Sequence, residues 1–172
     1  EGFRIVQISD LHVGPTVRRK TVAQIVARVN ELDADLVAIT GDLIEGRVAH
    51  IEGDVAPILN LKSRHGTFYC TGNHEYYWEA LKWCDWLTEN GVVVLNNAHH
   101  IVEHNGGKLL VGGCTDYRAH TIIESHKSDP ARAKAGAAPH DASILLAHQP
   151  ASIHEAAKAG FDLQLSGHTH GG

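Results

Sequence analysis

Short apolar runs alternate with helical patterns along most of the chain. The apolar runs predict buried strands at residues 3–9, 35–40, 66–70, 92–95, 143–147 and 162–166. Apolar residues at helical spacing predict helices at 21–32, 51–61 and 77–89, and a further helix from Pro150 to Gly160. Alternating strands and helices favour an α/β fold in which helices cover both faces of a sheet.

The middle of the chain departs from this alternation. Residues 100–103 and 109–113 predict a hairpin with Asn105-Gly106 at its turn, so we expect the sheet to become antiparallel there. The connection 115–142 is largely polar, and Asp129-Pro130 predicts the start of an alanine-rich helix within it. With 172 residues and neither a linker nor an internal repeat, the chain predicts a single domain, residues 1–172.

Five of the predicted strands run directly into polar clusters. In chain order these are Asp10 with His12, Asp42, Asn73 with His74, His148, and His168 with His170. Ligands of open α/β sheets bind beyond the carboxyl ends of the strands, so we expect all the clusters on one rim. In an extended segment, residues i and i+2 point to the same side. The members of the first cluster, and those of the last, would then each face a common point.

The residue types in the clusters favour a catalytic metal site. Carboxylate, imidazole and amide groups together suit divalent Mn, Fe, Zn or Co, and they differ from the thiolates of structural zinc sites. An isolated Asp-x-His at a strand end is usually a turn with a satisfied histidine. The prediction therefore depends on the clusters occurring together, in this order.

The same motifs resemble those of a known superfamily. "DLH", "GDLIEG", "GNHE", "LLAH" and "GHTHGG", in that order over residues 4–172, resemble the calcineurin-like metallophosphoesterases. "RIVQISDLHVGP" and "GTFYCTGNHEYYW" are most similar to its bacterial membrane-associated phosphodiesterases, near the UDP-2,3-diacylglucosamine hydrolases. The resemblance implies a four-layer α/β/β/α fold with mixed sheets. Such folds usually continue past "GHTHGG", so we expect either that further strands lie outside this chain or that the second sheet is incomplete at the C-terminus.

The resemblance also implies a role for each cluster, with two divalent metal ions chosen from Mn, Fe, Zn, Co and Ni. The residues that would hold one ion are Asp10, His12 and His170. Those that would hold the other are Asn73, His148 and His168, with Asp42 bridging the two ions. His74 would stay unligated beside the substrate, and Glu45, where the family more often has Asp, would orient its imidazole.

Elementary chemistry supports these roles. Two metal ions ~3.5 to 4 Å apart can share a hydroxide that attacks phosphorus in line. A bridging ligand must be anionic and bidentate; of the two candidates, Asp10 already pairs with His12, which leaves Asp42. His74 can protonate the leaving oxygen because its pKa can lie near the working pH, and such catalysis is typically worth ~10² to 10⁴ in rate.

We therefore predict a dinuclear metal-dependent phosphoester hydrolase. The subgroup resemblance favours diesters over monoesters, whereas the chemistry does not choose between them. A phosphomonoesterase or a nuclease of the same superfamily is the alternative within this class. A non-catalytic binding scaffold is the alternative of another class, and it would lack some of the ligands or His74, all of which are present.

Composition and charge limit the partners. A net charge of −5 fits a soluble globular protein without the basic field that nucleic-acid binding needs, so we expect a small phosphoester substrate, with a nucleotide-linked lipid as one candidate. The three cysteines have no CxxC spacing and are expected to be core thiols. No apolar run reaches the ~20 residues of a membrane span. Because the chain lacks methionine, we expect its natural start upstream, with room for a membrane anchor and either a cytoplasmic or a membrane-peripheral location.

Overall fold

In the computed structural model, which describes residues 2–171, two four-stranded sheets pack face to face. The first sheet is parallel, in the order β1 (Ile5–Ile8), β2 (Leu36–Ile39), β3 (Thr67–Tyr69) and β4 (Val93–Val94). The second has the order β5 (Ala98–His104), β6 (Gly107–Gly113), β7 (Ala142–Leu146) and β8 (Leu163–Leu165). In it, β5 and β6 are antiparallel and the other pairs are parallel. Only the second sheet therefore mixes parallel and antiparallel pairs. Residues 1 and 172 of the predicted domain lie outside the described residues.

The helices begin and end close to the predicted positions, with two exceptions. They are α1 (Arg19–Asn30), α2 (Val48–Val55), α3 (Asn73–Tyr77), α4 (Ala80–Glu89), α5 (Pro130–Lys134) and α6 (Ile153–Lys158). Short 3₁₀ turns lie at Ala56–Asn60, Ala119–Thr121, Glu124–His126 and Pro150–Ser152. The predicted helix 51–61 divides into α2 and the first of these turns. The predicted helix 77–89 begins at Ala80 instead, because Glu79, with φ 91°, separates α4 from α3, which was not predicted.

Alternating side chains along the strands explain the layers. In β2, Val37 and Ile39 pack with α1, α2 and α4, whereas Leu36 and Ala38 face the second sheet. Alternate residues of β7 divide in the same way between the first sheet and the layer of α5 and α6. The expectation of one sheet covered by helices on both faces was wrong, because each sheet covers the inner face of the other. The four-layer α/β/β/α fold implied by the resemblance is confirmed.

Two local predictions from turn chemistry are confirmed. The β5–β6 turn has Asn105 at φ 50° and Gly106 at φ 83°, the left-handed pair that a two-residue hairpin turn requires. At the start of α5, the Asp129 carboxylate accepts a hydrogen bond of 2.9 Å from the backbone N–H of Arg132. This cap begins a helix inside the long polar connection, as expected.

The carboxyl ends of β1, β2, β3, β7 and β8 meet at one edge of the two-sheet core. Gln7 Nε2 donates to the Ser166 carbonyl at 2.9 Å, which links β1 to the end of β8. His148 Nδ1 contacts the Thr40 carbonyl at 2.7 Å, which links the end of β7 to the end of β2. The expected common rim is therefore present, although two sheets contribute to it instead of one. Within residues 2–171, none of the helices has both the length and the apolar character needed to cross a membrane.

Candidate metal centre

The first cluster lies on a turn that backbone hydrogen bonds attach to the turn after β2. The N–H of Asp10 donates to the Gly41 carbonyl at 3.1 Å, and the N–H of His12 donates to the Asp42 carbonyl at 3.0 Å. Asp10 and His12 have φ values of 55° and 47°, so the segment is not extended as predicted. Their side chains nevertheless converge, because a ligand atom of each lies within 4.8 Å of one on His170.

The last cluster also has a left-handed backbone, with φ 71° at His168 and 53° at His170. Its two histidines point to different partners: His168 joins Asp42 and His148, whereas His170 joins the group around Asp10. The N–H of His168 donates to both carboxylate oxygens of Asp10 at 3.1 Å, which ties the two clusters together. The prediction that both imidazoles face one point was wrong, since side chains alternate regularly only on extended backbone.

Asp42 lies at the centre of the cluster and is 2% exposed. Its Oδ2 atom is 3.1 Å from His148 Nε2 and 3.8 Å from the Nε2 atoms of both His12 and His74. Burial acts to raise the pKa of Asp42, but the hydrogen bonds from His148 and from the His74 backbone outweigh it and lower that pKa. The carboxylate is therefore charged at neutral pH, and it can serve ligand groups on two sides.

The buried imidazole of His148 has one orientation available. Because its Nδ1 contacts the Thr40 carbonyl, an acceptor, Nδ1 carries a proton and Nε2 faces Asp42. Nε2 donates to the Asp42 carboxylate when the ring is protonated, and a neutral ring would offer its Nε2 lone pair to a metal ion. The Nδ1 atom of His168 is 3.3 Å from this Nε2. Burial alone would lower the pKa of His148, but the Asp42 carboxylate raises it to about 9. The carboxylate thus favours a positive charge at this point, and a metal ion supplies one.

Asn73 supplies an independent indication of a cation. It is the first residue of α3, and its Oδ1 atom is buried without a hydrogen-bond partner among the described residues. Leaving a buried acceptor unpaired costs roughly 1 to 3 kcal/mol. An amide oxygen is a ligand of divalent metals, so a bound ion would satisfy this atom. The donor set and this unpaired oxygen together fit a metal centre.

Glu45 contacts two imidazoles, whereas the sequence predicted a contact with His74 alone. Its Oε1 atom is 2.7 Å from His12 Nδ1, and the same oxygen is in close contact with His74 Nδ1. The rings of His12 and His74 lie edge to face with their centres 4.5 Å apart. Trp78 Nε1 donates to Oε2 of the same carboxylate at 3.2 Å. This single carboxylate therefore sets the orientation of both rings.

Glu75 takes part in the site although sequence reasoning assigned it no role. The side chain is fully buried and accepts three backbone hydrogen bonds, from Asp42 at 3.0 Å, Leu43 at 2.8 Å and Gly72 at 2.6 Å. Burial, and then the charge of Asp42, raises the pKa of Glu75 to about 7. Glu75 fastens the turn after β2 to the start of α3. The signal was present in "GNHE", since an acid at the third helical position commonly bonds back to the N-cap backbone.

A cavity of about 260 Å³ opens beside the cluster. Its walls include Asn73 and His168 from the candidate ligands, together with Tyr77, Arg118 and Ile122. The Tyr77 ring also lies 5.3 Å from the His74 ring, centre to centre. A larger cavity of about 520 Å³ elsewhere on the described surface includes none of the candidate ligands.

Comparison with known sequences gives a match over nearly the whole chain. The family described as "Calcineurin-like phosphoesterase" matches residues 3–172. A "Transmembrane protein with metallophosphoesterase domain" from Danio rerio is 36% identical over 99% of the chain and 41% of its own length. An "Uncharacterized metallophosphoesterase" from Helicobacter pylori is 37% identical over 99% of the chain and 45% of its own length. The chain thus spans less than half the length of these relatives.

Solved structures show the same fold at low sequence identity. The NAD nucleotidase of Haemophilus influenzae superposes with a TM-score of 0.66 and 18% identity, over 98% of the chain and 43% of that protein. A calcineurin-like phosphoesterase of Bacillus subtilis has a TM-score of 0.62 and 18% identity, over 98% of the chain and 72% of that protein. At this identity, the likeness establishes the architecture and nothing about the substrate.

Proposed function

The chain belongs to the calcineurin-like phosphoesterase family, whose members hydrolyse phosphoesters with a dinuclear divalent metal centre, and we propose that it is a phosphodiesterase. The arrangement around Asp42 carries the proposal. One candidate ligand group contains Asp10, His12 and His170, a second contains His148 and His168, and Asp42 lies in the second group while its Oδ2 approaches His12 of the first. Such an arrangement suits two ions that share one carboxylate.

The proposed ligands follow from these groups. Asp10, His12 and His170 would hold one ion, Asn73, His148 and His168 would hold the other, and Asp42 would contribute to both. When bound, such a pair of ions lowers the pKa of water toward neutrality and neutralises charge on phosphoryl oxygens. The protein contributes ligand positions that are already set by backbone hydrogen bonds and by the contact between His148 and Thr40.

We assign His74 to proton transfer instead of metal binding. A third possible ligand group does include His74, together with His12 and Asp42. Those two residues are already used by the two ligand groups above, and Glu45 holds Nδ1 of His74. Its Nε2 is then left to carry a proton to the leaving oxygen of the substrate. In this assignment, Glu45 is a positioning residue.

Two further observations bear on the substrate. The cavity beside Asn73 and His168 leaves room for a second substituent on phosphorus, which a diester has and a monoester lacks. The sequence motifs support the finer assignment near the UDP-2,3-diacylglucosamine hydrolases, and hence a nucleotide-linked lipid as substrate. The word "transmembrane" in the name of the Danio rerio relative supports membrane association of the full-length protein. These assignments are part of the proposal.

The test compares a diester with a monoester on the metal-loaded protein. We expect a higher kcat/KM for bis-p-nitrophenyl phosphate than for p-nitrophenyl phosphate, and loss of turnover and of bound metal in Asp42→Asn. The matched control is Asp33→Asn, which removes an exposed carboxylate from a residue that also has positive φ. A preference for the monoester would overturn the phosphodiesterase assignment. Undiminished turnover by Asp42→Asn would overturn the bridging role.

A further inference from the structure

We propose that Arg118 and the cavity beside the metal centre form a subsite for a second phosphate group of the substrate, separate from the scissile one. The inference rests on the proposed phosphodiesterase function and adds a substrate feature to it. A guanidinium binds phosphate oxygens in a two-pronged geometry. A phosphate monoester also carries about −1.5 to −2 charges at pH 7, so it gains more from one arginine than a singly charged group does.

The cavity is continuous with the candidate reaction centre. Asn73 and His168 belong both to the proposed ligand set and to the cavity wall. Tyr77 forms another part of the wall, and its ring lies against His74, the proposed proton donor. A substrate with its scissile phosphate at the ligands therefore reaches the cavity, past Asn73 and His168, with the substituent that stays on phosphorus after cleavage.

The guanidinium of Arg118 is available to a ligand. Arg118 is exposed on the cavity wall, and its guanidinium makes no hydrogen bond or ion pair with any residue in the range 2–171. The nearest acid in sequence, Asp116, is 1% exposed and already engaged. Its carboxylate accepts from the backbone N–H of Arg118 at 2.8 Å and from Gln149 Nε2 at 2.9 Å. Asp116 thus holds the backbone of Arg118 in place and does not bind its guanidinium.

A hydrogen-bond network attaches the Arg118 loop to the metal centre. The N–H of Asp116 donates to Thr71 Oγ1 at 3.2 Å, and the Thr71 hydroxyl is also 3.2 Å from the Tyr76 hydroxyl. The Tyr76 hydroxyl is 2.8 Å from His126 Nδ1, on the far side of the same loop. Tyr76 belongs to α3, the helix that begins at Asn73. The distance between Arg118 and the proposed ligands is therefore held by the fold.

The remaining walls suit the atoms between two phosphates. Tyr77 and Ile122 are 62% and 53% exposed, and both line the cavity. Large apolar side chains left open to solvent at such a position can cover carbon-bearing parts of a ligand. The subsite thus combines one cation with apolar walls, which suits a sugar or alkyl group that carries the second phosphate.

The experiment uses two chromogenic diesters that differ by one phosphate. These are thymidine 5′-(p-nitrophenyl phosphate) and the same compound with a 3′-phosphate, assayed with the metal-loaded protein. For Arg118→Gln we expect about a tenfold rise in KM for the 3′-phosphorylated substrate, the typical loss of one charge-assisted hydrogen bond, with kcat little changed. The KM for the unphosphorylated substrate should stay unchanged. Arg132→Gln, on the exposed side of α5, is the matched control and should change neither value.

The outcomes distinguish failure of the subsite proposal from failure of the phosphodiesterase proposal. An equal loss with both substrates would overturn the proposal, since Arg118 would then act on the scissile phosphate or on the fold. No loss with either substrate would overturn it as well. If the wild-type protein hydrolyses neither compound, the phosphodiesterase proposal fails. Equilibrium binding of the 3′-phosphorylated compound to wild type and to Arg118→Gln then tests the subsite by itself, and equal affinities would overturn it.

Discussion

Replacing Glu45 by Gln keeps the shape of the side chain but removes the charge that two imidazoles share. In the native protein, Oε1 contacts Nδ1 of both His12 and His74, and Oε2 accepts from Trp78 Nε1 at 3.2 Å. Glutamine has one acceptor oxygen and one amide nitrogen. If the oxygen faces the imidazoles, the amide nitrogen faces the Trp78 N–H, so that a donor meets a donor. In either orientation, at least one partner of the carboxylate loses its acceptor.

The expected loss follows from what Glu45 supports. Losing a residue that orients a ligand or a catalytic group typically costs about 10 to 100-fold in activity or metal affinity. Losing a general acid itself costs ~10² to 10⁴. We therefore expect kcat to fall about 10 to 100-fold in Glu45→Gln, less than in His74→Ala. The free energy of unfolding should fall by at most about 2 kcal/mol, the value of one charge-assisted hydrogen bond.

The assay separates proton transfer from metal binding. Both variants are measured with a p-nitrophenyl diester and with a diester that has an alkyl leaving group, and bound metal is quantified in each preparation. His74→Ala should retain its metal and lose most rate with the alkyl leaving group, which needs a proton, and Glu45→Gln should show the same dependence. In the double variant, the losses should not multiply if Glu45 acts through His74. Losses that multiply, or a Glu45→Gln defect that is equal for both leaving groups, would refute this reasoning.

Two further predictions concern the buried cysteines and Gly167, which lies against the side chains of Ser9 and Asp10. Burial raises the pKa of Cys84 to about 11 and of Cys114 to about 12, and it also raises that of Cys70, so the native protein should not react with Ellman's reagent at pH 8. Rapid labelling before unfolding would contradict the burial of these thiols. In Gly167→Ala, the new methyl group overlaps the Ser9 hydroxyl and the Asp10 carboxylate, so we expect weaker metal binding and about 1 to 3 kcal/mol lower stability by denaturant titration. Unchanged metal affinity would show that Asp10 is not held as described.

The strands and the motifs at their ends could be predicted from the sequence because buried strands are continuous apolar runs. The layering could not be predicted from the pattern alone. All four residues of β2 are buried, and this pattern is the same whether a helix or a second sheet covers a face. Leu36 and Ala38 meet the second sheet only because of contacts between residues far apart in the chain. The four layers were anticipated through the resemblance instead.

No local feature of the sequence predicts the break between α3 and α4 either. Residues 77–89 have apolar positions at helical spacing, and neither glycine nor proline marks Glu79. Tertiary contacts on both sides require the break. Before it, the Glu75 carboxylate must reach the backbone of Asp42, and after it, Trp83 Nε1 donates to the Gly46 carbonyl at 2.9 Å. Both contacts go to the turn after β2, and they outweigh the local preference for one continuous helix.

The left-handed backbone of the candidate ligands connects the fold to the chemistry. Nine non-glycine residues in the described part of the chain have positive φ. Five of them are candidate metal ligands, namely Asp10, His12, Asp42, His168 and His170. Such a conformation generally costs of order 1 kcal/mol or more per residue, although Asp and His tolerate it better than most residues do. Contacts between the turns hold it in place, among them the hydrogen bonds from His12 to Asp42 and from His168 to Asp10.

This conformation also explains why the two histidines of "GHTHGG" separate. On extended backbone their imidazoles would share one face, and both would approach the same point. With φ 71° and 53°, they diverge, so that His168 reaches Asp42 while His170 reaches Asp10. A motif of six residues can then contribute to both ligand groups. Backbone hydrogen bonds fix the turns within each sheet, and bonds between side chain and backbone join the two sheets, such as that from the His168 N–H to the Asp10 carboxylate. The ligand positions are therefore set by folding, before any metal ion binds.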